Sequence, residues 1–206
     1  MLDRLTLPAL PALRGERVIL RGFRESDVDD RLRHPIDPEE EDGYGSSWRR
    51  EWDGRRFHTR EHLAAAARRP PDAGAYTWAV DYDSQCIGSA GLRVDPDQHC
   101  ATRTMGLFVA GLRGHGLGRE VTRLVLSWAF EALGVHRVEL EVAAGNNRAI
   151  SCYLACGSAT RESAVKPSCI QTAGKTSSSW DSCSLSTNPV RKIDRPAGPV
   201  RYGALT

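Results

Sequence analysis

The residues best suited to chemistry lie in one turn, Arg113-Gly114-His115-Gly116-Leu117-Gly118. Three glycines let the backbone come close to a ligand, and the free N–H groups of a helix beginning here point together toward an anion. Arg113 and Arg119 add positive charge beside them. The physical expectation is a pyrophosphate cradle. The plain alternative is a flexible strand-to-helix turn: no Gly-Lys-Ser/Thr follows as in a Walker loop, and the spacing is not the G-x-G-x-x-G of a dinucleotide fold. Glu139 and Glu141 share one face of a strand, a pattern more often solvated than catalytic. Cys152 and Cys156 are four residues apart without a histidine or carboxylate at ligand spacing, so they read as structural thiols, and no metal is expected. His58, His62 and His99 show no partners in the sequence and read as surface or loop residues.

The turn must be held by the elements around it. Residues 102–109 form a strand, 116–133 a long helix and 138–143 another strand; the helix carries apolar residues at Val121, Leu124, Val125, Trp128, Ala129 and Leu133 and stops at Gly134. Strand, helix and strand in this order make a βαβ unit with parallel strands and a right-handed crossover. A last helix runs from Asn146 or Asn147, a capping residue, to about Cys156. Upstream, residues 17–23 alternate as a first strand, and Ser26 caps a short acidic helix over 27–33. Residues 34–58 form a long polar excursion containing Trp48, Trp52 and Phe57. A helix spans 61–69, and strands at 76–81 and 86–94 pair as a hairpin about Asp83-Ser84.

Composition sets the outer bounds. The chain has 206 residues, 40% hydrophobic and 26% charged, with a net charge of +2, which suits one globular domain and implies neither a nucleic-acid nor a membrane partner. No run approaches the ~18 apolar residues of a membrane span, and residues 1–14 lack the apolar core of a signal peptide, so the expected location is cytoplasmic. Charge is unevenly spread. Residues 1–157 hold 21 Arg, no Lys and 23 acids, whereas all three lysines fall in 158–206, a Ser/Thr-rich segment with no periodic pattern that is expected not to order itself.

In its strand-loop-helix setting, Arg113-x-x-Gly116-x-Gly118 resembles the Arg/Gln-x-x-Gly-x-Gly/Ala signature of the GCN5-related N-acetyltransferase (GNAT) superfamily. Two further segments carry the resemblance, residues 13–21 and residues 133–150, and it is closest to the branch of ribosomal-protein N-terminal acetyltransferases. It covers roughly residues 14–157, giving an expected organisation of a leader at 1–12, the domain at 13–157 and a tail at 158–206. The implied fold is α/β (α+β in some schemes), a mixed, mostly antiparallel sheet with a splayed parallel pair and helices on both faces. The implied activity is transfer of acetyl from acetyl-CoA to an amine acceptor, which could be a protein N-terminus or a small aminoglycoside or polyamine; a homodimer is left open. Degenerate CoA binding without catalysis and nucleotide binding are the rivals from other classes.

The resemblance also implies roles. Phe108, Val109, Arg113, Gly114, His115, Gly116, Leu117, Gly118, Arg119 and Asn146 would contact acetyl-CoA, with a backbone N–H near Phe108 or Val109 holding the thioester oxygen. Tyr153 falls where relatives place a tyrosine general acid. Relatives often carry a glutamate base where this chain has Thr104, which leaves Glu139 and Glu141 as substitutes. After Gly157 the resemblance stops at Ser158. Shifting the reading frame by one base permits Phe-Arg-His-Glu-Gly directly after Gly157 and Met-Gly-Leu-Leu around residues 179–182, both similar to the family's ending. A one-base deletion near codon 157 is therefore the expected origin of the tail, with the closing strands missing or altered and a sheet edge exposed.

Overall fold

The computed structural model describes residues 7–35, 59–68, 74–143, 146–161, 182–187 and 201–203. Trp48, Trp52, Phe57 and His58 lie outside them, as does the side chain of His62. The elements in chain order are β1 (Ala12–Arg14), β2 (Val18–Arg21), α1 (Asp27–Leu32), α2 (Arg60–Arg68), β3 (Ala75–Tyr82), β4 (Gln85–Asp95), β5 (Cys100–Leu107), a 3-10 turn (Ala110–Leu112), α3 (Leu117–Glu131), β6 (Arg137–Ala143), α4 (Asn147–Leu154), β7 (Ala159–Arg161), β8 (Ser182–Thr187) and β9 (Arg201–Gly203). The strands form one sheet in the order β7-β8-β6-β5-β4-β3-β2-β1-β9. Every neighbouring pair is antiparallel except β5 and β6, which are parallel, as the βαβ reading requires.

Alternation along the strands separates two apolar layers. Trp78 and Val80 of β3 join Leu92 of β4 and the buried side of α3 (Val121, Val125, Trp128) in the main core. Its centre is aromatic: the Trp128 ring meets Tyr76 edge-on at 4.7 Å and Trp78 at 5.4 Å. The intervening Ala79 faces the other way, into a smaller cluster with Cys86 and Phe108. That second face carries α1, tied to the sheet through Arg21. The Arg21 guanidinium donates to both oxygens of Asp27 at 2.8 Å and to Asp81 at 2.7 Å, and all three residues are buried. The bond to Asp27 pushes the Arg21 pKa up, further than burial pulls it down.

Two local expectations are corrected. Ser26 makes no side-chain cap on α1; instead the Asp27 carboxylate accepts the Arg24 N–H at 2.8 Å. The described part of the leader is tied to the sheet, its Pro8 and Pro11 carbonyls accepting from the Tyr76 hydroxyl at 3.0 Å and the Trp78 indole at 2.8 Å. The tail was expected to stay unordered and to leave β6 as an open edge. The structure pairs β8 antiparallel along Val138–Ala143 and pairs β7 with β8. The physical reason is that a strand edge offers backbone donors and acceptors that any extended segment satisfies, largely whatever its side chains. The hairpin turn follows the sequence reading: Asp83 and Ser84 both have positive φ, 52° and 63°, as a two-residue type I′ turn demands.

Candidate active site

The glycine turn sits at the C-terminal end of β5, where it feeds α3. Gly114 and Gly116 have φ of +83° and +84°, conformations that L side chains rarely adopt. Gly116 is the N-cap residue of α3 and has no side chain with which to cap it. Both Arg119 and Glu120 N–H groups return to the Gly116 carbonyl at 3.1 Å, while those of Gly116, Leu117 and Gly118 have no hydrogen-bond partner among the described residues. These donors point out from the positive end of a 15-residue helix, the arrangement that favours an anion. Leu117 is buried in the core and anchors the turn, and His115 and Arg119 are exposed beside it. A Cβ built on Gly114 meets nothing within 4 Å, so the front of the turn is open.

Two contacts that brace this turn are invisible in the sequence. Glu120 accepts the N–H groups of Arg17 at 2.8 Å and Val18 at 3.1 Å and pairs with the Arg17 guanidinium at 3.1 Å. Arg17 also donates to the His115 carbonyl at 2.9 Å. Glu120 would otherwise oppose an anion at the helix start; here it is engaged with β2, and Arg17 joins Arg119 as a cation near the turn. Arg113 turns inward, donating to the Leu107 carbonyl at 2.9 Å, so it shapes the turn as well as charging it. Gly116→Ala places a side chain at a left-handed φ with its Cβ 3.3 Å from the Arg17 guanidinium. It is expected to cost about 1–2 kcal/mol of stability and to weaken anion binding at the turn, as read by denaturant melts and ligand titration.

Beside the turn the sheet opens. The β5–β6 ladder runs from Cys100↔Arg137 to Thr102↔Glu139 and stops there, although β5 continues to Leu107 and β6 to Ala143. Ligands of such sheets bind where neighbouring strands diverge at their C-terminal ends. At the end of β5, the Phe108 N–H donates to the Ile87 carbonyl at 3.0 Å. Its ring lies under the Arg31 guanidinium at 4.8 Å, fastening α1 to the sheet. The Val109 N–H has no partner among the described residues, because the following 3-10 turn uses only the Val109 carbonyl, through Leu112 N–H at 3.1 Å. Of the two expected oxygen-binding donors, Val109 is the one left open. The 3-10 turn, Ala110–Leu112, takes up the chain between the end of β5 and Arg113.

Tyr153 lies on α4, buried with Leu140 and Val142 of β6, and Met105 of β5 packs on the same cluster. The tyrosine is thus at the opening between the strands. Glu139 and Glu141 alternate with Leu140 and Val142 and so project from the opposite face of the sheet; Glu139 lies 3.0 Å from the Arg137 guanidinium. Thr104 is on that same opposite face, its hydroxyl packed over Gly91. Asn146 caps α4, accepting the Ala149 N–H at 3.1 Å. His99 is placed by its backbone, with φ of +50° and its carbonyl accepting the His136 N–H at 2.9 Å. Among the described residues no cluster of three metal-ligating groups occurs, and no helix is long and apolar enough to cross a membrane.

Residues 17–159 match the family model of the acetyltransferase (GNAT) domain. The chain belongs to the GNAT family. Solved structures agree on the fold. A GNAT-family acetyltransferase from Bacillus anthracis superposes with a TM-score of 0.66 at 14% identity, covering 87% of this chain and 99% of that one. A GCN5-related N-acetyltransferase from Brucella melitensis gives 0.61 at 16%, covering 90% and 81%. A spermidine N-acetyltransferase chimera from Vibrio cholerae gives 0.61 at 15%, covering 87% and 100%. No curated protein matches the sequence. In this GNAT chain the signature residues Arg113, Gly116 and Gly118 therefore stand at the turn just described, and the match runs from β2 through the start of β7.

Proposed function

We propose that this protein transfers acetyl from acetyl-CoA to a primary amine, with a protein N-terminal α-amine as the acceptor. The observation that carries the reading is the opening of the β5–β6 ladder directly beside a turn rich in free N–H donors. The pyrophosphate of acetyl-CoA would lie on Gly114–Gly118 and the helix start, and the pantetheine arm would run into the opening. The amine attacks the thioester carbonyl carbon; a C–N bond forms and the C–S bond breaks. The developing oxyanion accepts the Val109 N–H. Tyr153 donates its hydroxyl proton to the leaving CoA sulfur. The ammonium proton leaves on the other face of the sheet, to Glu139, Glu141 or water. Supply from opposite faces suits a displacement in which nucleophile and leaving group must not compete for the same space.

The acceptor reading rests on proton chemistry. Without a strong base at Thr104, an α-amine of reference pKa about 7.7–8.0 is partly neutral at pH 7, whereas a lysine amine near about 10.4 is almost wholly charged. The test is thermal unfolding with acetyl-CoA, using ATP as control. A ligand at 100 times its dissociation constant adds about 2.7 kcal/mol, so a clear upward shift with acetyl-CoA alone is expected. A cooperative transition left unmoved by acetyl-CoA sinks the donor assignment. Thiol release is then compared for N-terminal peptides and spermidine, since one structural neighbour is named as a spermidine N-acetyltransferase. Greater turnover with spermidine would overturn the acceptor. Binding with no thiol release from any amine would favour a non-catalytic CoA-binding protein.

A further inference from the structure

Behind the glycine turn, between α3, α4 and β5, lies a polar cluster that the proposed reaction does not use. Arg103 of β5 is 2% exposed, and its Nε and Nη1 have no hydrogen-bond partner among the described residues. Of its nitrogens Nη2 forms the hydrogen bonds, donating to the Thr122 hydroxyl at 2.9 Å and lying 3.2 Å from the Met105 sulfur, while the guanidinium stacks 5.2 Å from the Tyr153 ring centroid. Among the described residues no carboxylate pairs with this guanidinium. A buried charge without a counter-charge is strongly unfavourable. The ionisable acids around it are the Cys152 and Cys156 thiols and the Tyr153 phenol, over whose ring it lies.

Cys152 is half-buried, 4.0 Å from the Thr122 hydroxyl, and a Cβ on Gly118 would stand 3.8 Å from its sulfur. Cys156, four residues on from Cys152 and just past the end of α4, has its sulfur 3.7 Å from the Arg119 carbonyl. Hydrogen bonding from the Cys156 thiol first, and then Arg103, Thr122 and Arg119, lowers Cys152 from the ordinary thiol value against the opposing effect of burial. Cys156 is pushed up, chiefly by that bond and by burial. Two free thiols thus lie one helical turn apart against the Thr122 hydroxyl, which Arg103 holds from β5, and the Arg119 carbonyl of α3.

We propose that Cys152 and Cys156 are a peroxide-reactive thiol pair, with Cys152 as the nucleophile, Cys156 as the resolving thiol and Arg103 as the counter-charge that keeps Cys152 ionised. The Cys152 thiolate attacks one oxygen of hydrogen peroxide; an S–O bond forms, the O–O bond breaks and hydroxide leaves, taking a proton to become water. The Cys156 thiolate, after giving up its proton, attacks the sulfenic sulfur; the S–S bond forms and the hydroxyl leaves with that proton as a second water. Two thiols and one peroxide thus give one disulfide and two waters. Residues four apart on a helix have Cβ atoms about 5–6 Å apart, while a disulfide needs ~3.5–4.5 Å, so closure must draw the last turn inward. That turn is tied back onto the end of α4, the Cys156 N–H donating to the Tyr153 carbonyl at 2.9 Å. Because Cys156 touches Arg119, closure also disturbs the first turn of α3. Weaker acetyl-CoA binding by the disulfide form rests on the proposed donor site; the thiol chemistry does not.

The test is peroxide treatment of the full chain at pH 6, quenched by alkylation and mapped by peptide mass. At that pH only roughly 0.3% of an ordinary thiol of pKa about 8.5 is ionised, and the lowered Cys152 carries a larger thiolate fraction. The lower nucleophilicity of a low-pKa thiolate offsets part of this, and Cys152 is expected to react faster than a model cysteine peptide. Within the chain, Cys152 should be consumed before the half-buried Cys100, and the buried Cys86, pushed up to about 12 by burial, should stay reduced. The expected product is a Cys152–Cys156 disulfide, and Cys156→Ser should stop at a dimedone-trappable sulfenic acid on Cys152. Oxidation of Cys100 as fast as Cys152, a disulfide from Cys152 to another cysteine, or a Cys152 rate equal to that of the model peptide would overturn the proposal. If Arg103→Gln folds and leaves the Cys152 rate unchanged, the counter-charge role is overturned.

Discussion

Arg21→Met is expected to lower the unfolding free energy by about 3–5 kcal/mol, a large share of what a domain of this size has. The substitution keeps most of the side-chain volume, so the loss is electrostatic rather than a cavity. Asp27 is left with both carboxylate oxygens facing the vacated space, and Asp81 loses its 2.7 Å bond, in a site where Arg21 and Asp27 are only 6% and 3% exposed at the side chain. The Asp27 carboxylate still accepts the Arg24 N–H, so α1 should persist locally while its attachment to the sheet fails. The measurement is a urea melt: a lower midpoint at unchanged slope supports the account. Adding Asp81→Asn to Arg21→Met should recover part of the loss, because one uncompensated charge is gone. A single-variant loss under 1 kcal/mol would mean that water reaches this network and screens it.

Tyr153→Phe is expected to lower kcat by about 10²–10⁴-fold if the hydroxyl protonates the leaving sulfur as proposed. The ring makes the packing contacts with Leu140, Val142 and Met105, and the Arg103 guanidinium lies 5.2 Å from its centroid, so removing the oxygen leaves the fold in place. The KM for acetyl-CoA should change little, since the lost interaction belongs to the transition state and not to donor binding. Steady-state thiol release with an N-terminal peptide checks this, with melting temperature as the control for folding. A kcat within about threefold of the unchanged protein would remove Tyr153 from the acid role and leave solvent as the proton source.

The regular elements were legible for definite reasons. The α3 stripe at Val121, Val125 and Trp128 has helical period, Asp83-Ser84 tolerates the positive φ of a tight hairpin, and the glycines at 114 and 116 fall where the backbone must be left-handed. These are local properties, and each is written within a few residues. The braces of the site were not legible. Glu120 and Arg17 are 103 positions apart, and Arg21 reaches an aspartate 60 positions away; spacing carries no trace of either pair. Phe108 and Val109 are adjacent apolar residues in the sequence, and only the register of β5 against β4 ties up one N–H and leaves the other open.

The thiols show the same division. As a sequence, Cys152-x-x-x-Cys156 lacks metal companions and reads as incidental; the fold sets it against Thr122 of α3, whose hydroxyl accepts from Arg103 of β5, the surroundings from which the thiol chemistry is proposed. Likewise the composition of residues 158–206 predicts no order, because too little apolar surface is available to offset chain entropy. It could not anticipate that backbone pairing alone would seat residues 182–187 against β6. By itself, then, the sequence determined the periodicities, the turn conformations and the donor-rich start of α3, since each depends on neighbours along the chain. The tertiary structure decided which charges are paired, which N–H groups stay free and where the strands part, because those depend on groups that meet only when the sheet closes around α3.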